Sequence, residues 1–197
     1  MPNKLTSNNA YYLIEDDKIP LGSEDYEHVL LKAIEDPVHA YMLLRDYKID
    51  RDSEYYEPAL KSAIENHRYA KYLIMNDEIL PDSKYYFITL QAAIQGMSDN
   101  ANNFIWNNII PVDSKYYHTV LQEAIRDSNN AYSYIKYNKI TPDSPYYKEV
   151  YLRAYYFISQ YPSEPEYNKF MLNIFNNNIV DLNDKNQYID AIENLFR

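Results

Sequence analysis

The sequence predicts an all-α fold: a right-handed α-solenoid of about five helix–turn–helix repeats, followed by a degenerate C-terminal capping unit. Three observations support this prediction. The chain aligns with itself at a period of about 30 residues. Within each period apolar residues recur at helical spacing, and prolines follow the expected end of the first helix in three of the periods.

The repeat is read from columns, meaning positions that recur in every period. Each unit opens with an alanine, so the units start near residues 10, 40, 70, 101 and 131. An apolar pair follows the alanine at i+3 and i+4, which predicts a short first helix. An isoleucine column comes next, and Pro81, Pro111 and Pro142 are expected to stop the helix there.

A second helix is predicted from a tyrosine, a leucine, an alanine and an isoleucine at i, i+4, i+7 and i+8. An Asp-Ser pair precedes the tyrosine in four units, and its side-chain oxygens suit a helix N-terminus. Pro145 suits the first helical position. Pro58 falls inside the expected helix, so we expect that helix to start late or to bend.

The repeat pattern weakens after Tyr155, and its echoes there have altered spacing. This predicts a capping unit over about residues 156–197. No separate linker interrupts the pattern, so the sequence predicts one helical-repeat domain spanning residues 1–197.

Composition excludes several classes of function. The net charge is -10, which disfavours direct binding of nucleic acid or of an anionic membrane surface. Cysteine is absent and only Gly22 and Gly96 are glycine, so thiolate chemistry, glycine-rich phosphate loops and a serine-hydrolase elbow cannot be formed. With no apolar leader and no membrane-length apolar run, we expect a soluble, cytoplasmic protein.

No constellation of residues predicts catalysis, a metal site or a cofactor. The four histidines fall in different columns without metal-ligand spacing; they are His28, His39, His67 and His118. The recurring aspartates are explained more simply as helix caps than as a ladder of carboxylates, which is the alternative. We therefore expect the protein not to be an enzyme.

Tyrosine is the residue in excess, with 24 in the chain. It is doubled near the start of four predicted second helices, and one member of each doublet belongs to the expected core. The other members form the tyrosine column, which consists of Tyr55, Tyr85, Tyr116 and Tyr146. They lie about 100 degrees around the helix from the core. This column is either a packing element between units or a repeated protein-binding surface.

The unit from Ala70 to Ile94 resembles tyrosine-rich helical repeats of about 30 residues in uncharacterised phage and giant-virus proteins. More broadly the chain is similar to α-solenoids of the HEAT and TPR type. The viral resemblance implies an interaction protein acting on a host factor.

These observations predict a non-catalytic scaffold or adaptor that binds a protein partner through the tyrosine column. The alternative is an acidic, viral inhibitor that blocks a nucleic-acid-binding or defence protein of the host by imitating the phosphates of nucleic acid. Both a monomer and a homodimer are compatible with the sequence.

Overall fold

The computed structural model describes residues 5–161, and every regular element in that range is an α-helix. The all-α prediction is confirmed for this part of the chain. The helices follow one another as pairs. The first helices of the pairs are α1 (Ser7–Glu15), α3 (Pro37–Arg45), α5 (His67–Met75), α7 (Ser98–Trp106) and α9 (Ser128–Lys136). The second helices are α2 (Tyr26–Ala33), α4 (Tyr56–Ala63), α6 (Tyr86–Ile94), α8 (Tyr117–Ala124) and α10 (Tyr147–Ser159).

The two helices of every pair pack against each other. Helix α3 also contacts both α1 and α5. The chain divides into two compact units on either side of the junction between Gln95 and Gly96. We call Met1–Gln95 the first unit and Gly96–Arg197 the second unit. The predicted single repeat domain over residues 1–197 stays a prediction, and the predicted cap lies outside the described residues from position 162 onward.

The predicted apolar columns form the core. The alanines at the start of each repeat and those near its end are all fully buried. They are Ala10, Ala40, Ala70, Ala101 and Ala131, then Ala33, Ala63, Ala93, Ala124 and Ala154. Alanine at these positions lets two helix backbones approach closely, while leucines such as Leu60 and Leu90 fill the space between them.

The first helices begin at side-chain caps that the column analysis did not identify. Asp36, Asn66 and Asp127 each accept a hydrogen bond from a backbone amide of the first turn, and Thr6 does the same for α1. Helix α7 begins after Met97, which makes no side-chain cap bond.

The expectation that the Asp-Ser pair starts the second helix is wrong. These helices begin at the second tyrosine of the doublet, because a turn precedes them: the Tyr56 amide donates to the Ser53 carbonyl at 3.1 Å. The Ser53 hydroxyl accepts from the Tyr55 amide, also at 3.1 Å. For the same reason Pro145 lies ahead of α10 rather than at its first position. The late start expected from Pro58 is confirmed, since Pro58 is the third residue of α4.

A left-handed residue ends each first helix before any proline is reached. Its φ lies between 51° and 55° at five equivalent positions, which are Asp17, Tyr47, Asp77, Asn108 and Asn138. At the end of α1, the Asp17 amide donates to the Ile14 carbonyl at 3.1 Å and the Lys18 amide to the Leu13 carbonyl at 2.9 Å. This is the Schellman arrangement, which satisfies the last carbonyls of a helix.

Candidate functional site

The tyrosine column occupies one equivalent position in four helix pairs. Each of its members directly precedes a second helix, is half-buried, and donates its backbone amide to the hydroxyl of the serine two residues earlier. Tyr55 and Tyr85 belong to the first unit, and Tyr116 and Tyr146 to the second. The backbone of the four tyrosines is therefore held by the same local turn.

Two rings of the tyrosine column pack against other aromatic rings. Tyr85 lies against the buried Tyr56 of the preceding pair, with ring centroids 5.5 Å apart. Tyr146 lies against Tyr117 in the same way at 5.4 Å. His118 stacks on Tyr146 at 5.3 Å. These rings thus bridge neighbouring pairs and remain partly exposed, so the packing role is observed and the protein-binding role stays a prediction.

Lysines cover two members of the column. The Lys84 ammonium lies 4.7 Å from the Tyr85 ring centroid, and the Lys115 ammonium lies 4.8 Å from that of Tyr116. Because tyrosine faces attract cations, these contacts indicate that the exposed ring faces are suited to positive groups.

A cleft lies between the first and second helix pairs of the first unit. This first cleft has a volume of about 680 Å³. Tyr26, Tyr47 and Tyr55 line it together with four charged residues, which are Glu24, Glu27, Lys48 and Asp50. Burial raises the pKa of Tyr55, and the carboxylates of Glu27 and Glu54 raise it further, which shows that negative charge is close to this ring.

An equivalent second cleft lies between the second and third helix pairs and is much smaller, at about 140 Å³. Tyr56 and Tyr85 correspond in the repeat to Tyr26 and Tyr55 of the first cleft. Arg51 also lines the second cleft, at the position that Leu21 holds in the first. The Arg51 guanidinium donates through Nη2 to the Glu78 carbonyl at 2.9 Å.

Lys48, the cation that lines the first cleft, is bonded to the preceding helix pair. Its ammonium contacts the Asp17 carboxylate at 2.9 Å and the Glu15 carbonyl at 3.3 Å. The hydrogen bond that Lys48 donates to Asp17 is the main cause of the raised pKa of Lys48. Lys139 makes the corresponding contact in the second unit, donating to the Trp106 carbonyl at 2.8 Å. These lysines thus join successive helix pairs.

Two of the histidines, His39 and His118, make structural contacts. His39 stacks on Tyr11 at 4.8 Å and shares a hydrogen bond with the Ser7 hydroxyl at 2.9 Å. His118 Nε2 lies 3.5 Å from a Glu149 carboxylate oxygen. Within residues 5–161, no three side chains of the metal-binding types converge on one point.

The sequence did not predict the two clefts, nor the left-handed column, which consists of the five positive-φ residues that end the first helices. The clefts form between residues of successive pairs, so no single repeat contains one. A signal was nevertheless present, because the residue two positions before the serine column changes from Leu21 to Arg51 between the first two repeats.

Comparison with known proteins gives no match: no family model, no curated protein and no solved structure is significantly similar to this chain. The resemblance to viral and HEAT or TPR repeats therefore stays a prediction. Among the described helices, none combines the length and the apolar character required to cross a membrane.

Proposed function

We propose that the protein is a non-catalytic scaffold that binds a protein partner through the tyrosine column. In this proposal the helix pairs continue as one right-handed α-solenoid, which presents the column as a repeated surface. The packing of α3 against both α1 and α5 supports such stacking, because each pair then covers the apolar face of the next.

The observation that carries the proposal is the equivalence of the four tyrosines. The backbone of each is held by the same serine turn and each side chain remains partly exposed, so the four rings start from equivalent backbone positions. Tyrosine supplies large contact area and one hydroxyl, and it is enriched in the buried centres of protein interfaces.

The experiment is affinity capture from nuclease-treated lysate of the source cell or its host, washed in parallel at low and high salt. The protein with Tyr55, Tyr85, Tyr116 and Tyr146 all replaced by alanine is expected to lose the captured partner. A second variant with phenylalanine at the same positions keeps the ring contacts and is expected to retain most of the binding.

The matched control removes exposed tyrosines outside the column. Tyr12, Tyr137 and Tyr161 are 51%, 63% and 48% exposed, and their replacement by alanine should leave capture unchanged. Circular dichroism and urea unfolding of every variant separate loss of a surface from loss of fold. Equal capture by the column variant and the control would contradict the proposal.

One observation favours a second function, the acidic inhibitor that imitates nucleic acid. The aspartates ahead of the serine column are exposed at Asp52, Asp82, Asp113 and Asp143, and helix capping does not account for them. A recurring exposed carboxylate suits a basic cleft on a partner. This function requires that capture falls steeply with salt and that added DNA or RNA displaces the partner, so salt-resistant capture would contradict it.

A further inference from the structure

We propose that the first cleft binds an arginine side chain of a partner protein. This inference deepens the proposed scaffold function and rests on it, because it assigns a chemical group to one part of the binding surface. It is based on a comparison of two equivalent clefts in one unit, of which one holds the chain's own arginine and the other does not.

The second cleft serves as the internal template. Arg51 lines this cleft together with Tyr56 and Tyr85, and its guanidinium donates to the Glu78 carbonyl at 2.9 Å. Burial raises the pKa of Tyr56, and the positive charge of Arg51 opposes that rise, which agrees with a guanidinium close to the phenol. The fold thus already accommodates an arginine at this position of the repeat.

The first cleft has the same aromatic walls without the resident arginine. Leu21 replaces Arg51 there; it lines the cleft, is 83% exposed and carries no charge. The result is a cleft of about 680 Å³ that opens to solvent beside Tyr26 and Tyr55.

The charges that line the first cleft match a cation. Three carboxylates line it, on Glu24, Glu27 and Asp50. Among residues 5–161, neither glutamate forms an ion pair. The opposing charge of Lys48 is neutralised by Asp17 at 2.9 Å. A guanidinium suits such a site better than an ammonium, because its plane stacks on aromatic rings while its edge donates to carboxylates.

Two local features support a binding role for this cleft. Tyr47 has φ of 55°, a conformation that is costly for a bulky side chain, yet 68% of it is exposed beside the cleft. Ser23 also lines the cleft, and its buried hydroxyl oxygen has no hydrogen-bond partner. The corresponding hydroxyl of Ser53 accepts from the Tyr55 amide, so the first turn lacks a hydrogen bond that the second turn makes.

The test uses the full chain and a terminally blocked Gly-Arg-Gly peptide, followed by ¹H–¹⁵N NMR. We expect saturable shifts of the Tyr26, Tyr47 and Tyr55 amides. Blocked peptides with lysine or with uncharged citrulline in the central position are the ligand controls. Citrulline should bind about tenfold more weakly or not at all, since it lacks the charge. Equal binding of citrulline, or equal binding of lysine, would overturn the assignment of arginine.

The decisive variant is Leu21→Arg, which gives the first cleft its own guanidinium and should weaken peptide binding by about tenfold. Val112→Arg is the matched control, because Val112 holds the same repeat position, is 57% exposed and lies in the second unit. It adds the same charge and should leave the shifts of the first cleft unchanged. If both variants weaken binding equally, general charge repulsion explains the result and the proposal fails.

The reciprocal variant Arg51→Leu should open the second cleft. Peptide shifts are then expected to appear at Tyr56 and Tyr85 in addition to those of the first cleft. Absence of saturable shifts in the unmodified protein, with its helical spectrum intact, overturns the arginine site while the scaffold proposal is still decided by partner capture. The opposite result is also informative. If Leu21→Arg weakens peptide binding but replacement of the tyrosine column leaves partner capture unchanged, the arginine site is supported and the proposed scaffold surface is contradicted.

Discussion

The two units join their neighbouring first helices by different chemistry. In the first unit, stacked rings make the contact. Tyr11 of α1 stacks on His39 of α3 at 4.8 Å, and Tyr41 of α3 stacks on Tyr69 of α5 at 4.9 Å. Their planes are inclined by only 11° and 16°.

In the second unit, asparagines hold the corresponding positions, and the contact combines a part-buried hydrogen bond with a ring pair: Trp106 of α7 lies against Tyr134 of α9, with ring centroids 6.1 Å apart. Tyr134 replaces the leucine found at Leu43 in the first unit, and its hydroxyl donates to Asn102 Oδ1 at 2.7 Å. Asn130 donates to the Ala124 carbonyl at 3.0 Å, which satisfies the end of α8.

This difference shows that a smaller side chain at one repeat position can be offset by a larger side chain at another. Where the column of Tyr11 and Tyr41 shrinks to Asn102, the leucine column enlarges to Tyr134. The second unit thus uses a larger ring in the leucine column and a polar pair whose donor, Tyr134, is fully buried. Such a pair is costly to break, because the remaining group loses its partner without regaining water.

The largest expected effect is that of Tyr134→Leu, which gives the second unit the leucine of the first. The lost ring leaves a cavity and the Asn102 amide loses its donor, so the free energy of unfolding should fall by about 2–4 kcal/mol. Adding Asn102→Tyr should recover part of this loss. Urea unfolding measures both; Tyr137→Leu, at a 63% exposed position, is the control. Equal stability of the Tyr134 and Tyr137 variants would contradict the comparison.

Alkaline pH should also affect the buried tyrosines of the second unit. Burial raises the pKa of Tyr134 and of Tyr151 well above their usual range. The unfolded phenols ionise near pH 10 while the folded ones remain protonated, so their stabilising contribution is complete below that pH. Above it, stability should fall by about 1.4 kcal/mol per pH unit for each such tyrosine. Unfolding measured between pH 8 and pH 12 should show a smaller slope for Tyr134→Phe; an unchanged slope would exclude this residue as a cause.

Helix capping offers a smaller test within the second unit. Asp127 caps α9 by accepting from the Asn129 amide at 2.9 Å, whereas Met97 makes no such bond to α7. Met97→Asp should therefore raise the free energy of unfolding by about 1 kcal/mol, and Asp127→Ala should lower it by a similar amount. Thermal unfolding of the two variants and their combination is the measurement, and a destabilising Met97→Asp would contradict the assignment of an uncapped end.

The smallest expected effect concerns the left-handed column. The second unit uses Asn108 and Asn138 there, which tolerate positive φ, whereas the first unit includes Tyr47. Tyr47→Asn should stabilise the protein by about 0.5 kcal/mol, and Asn108→Tyr should destabilise it. If Tyr47 serves the first cleft, the stabilised variant should also bind the arginine peptide more weakly. A variant that gains stability and keeps full binding would show that Tyr47 has no part in recognition.

The sequence by itself determined the all-α class, the core columns and the positions of the tyrosines. Each of these depends on the periodicity of one helix, which a linear pattern records directly. It also indicated that Pro58 lies in the first turn of α4, where a proline is tolerated, although all five second helices begin at the equivalent tyrosine. The aspartates were misleading, since their preference for helix caps is equally compatible with the exposed turn in which they lie.

Only the tertiary structure decided which columns meet across helix pairs. The stacking of Tyr41 on Tyr69, the bond from Tyr134 to Asn102 and the two clefts all join residues about 30 positions apart. The volume of each cleft depends on whether a side chain such as Arg51 reaches the next pair or remains exposed as Leu21 does. That choice depends on through-space contact between pairs, which residue spacing within one helix does not encode.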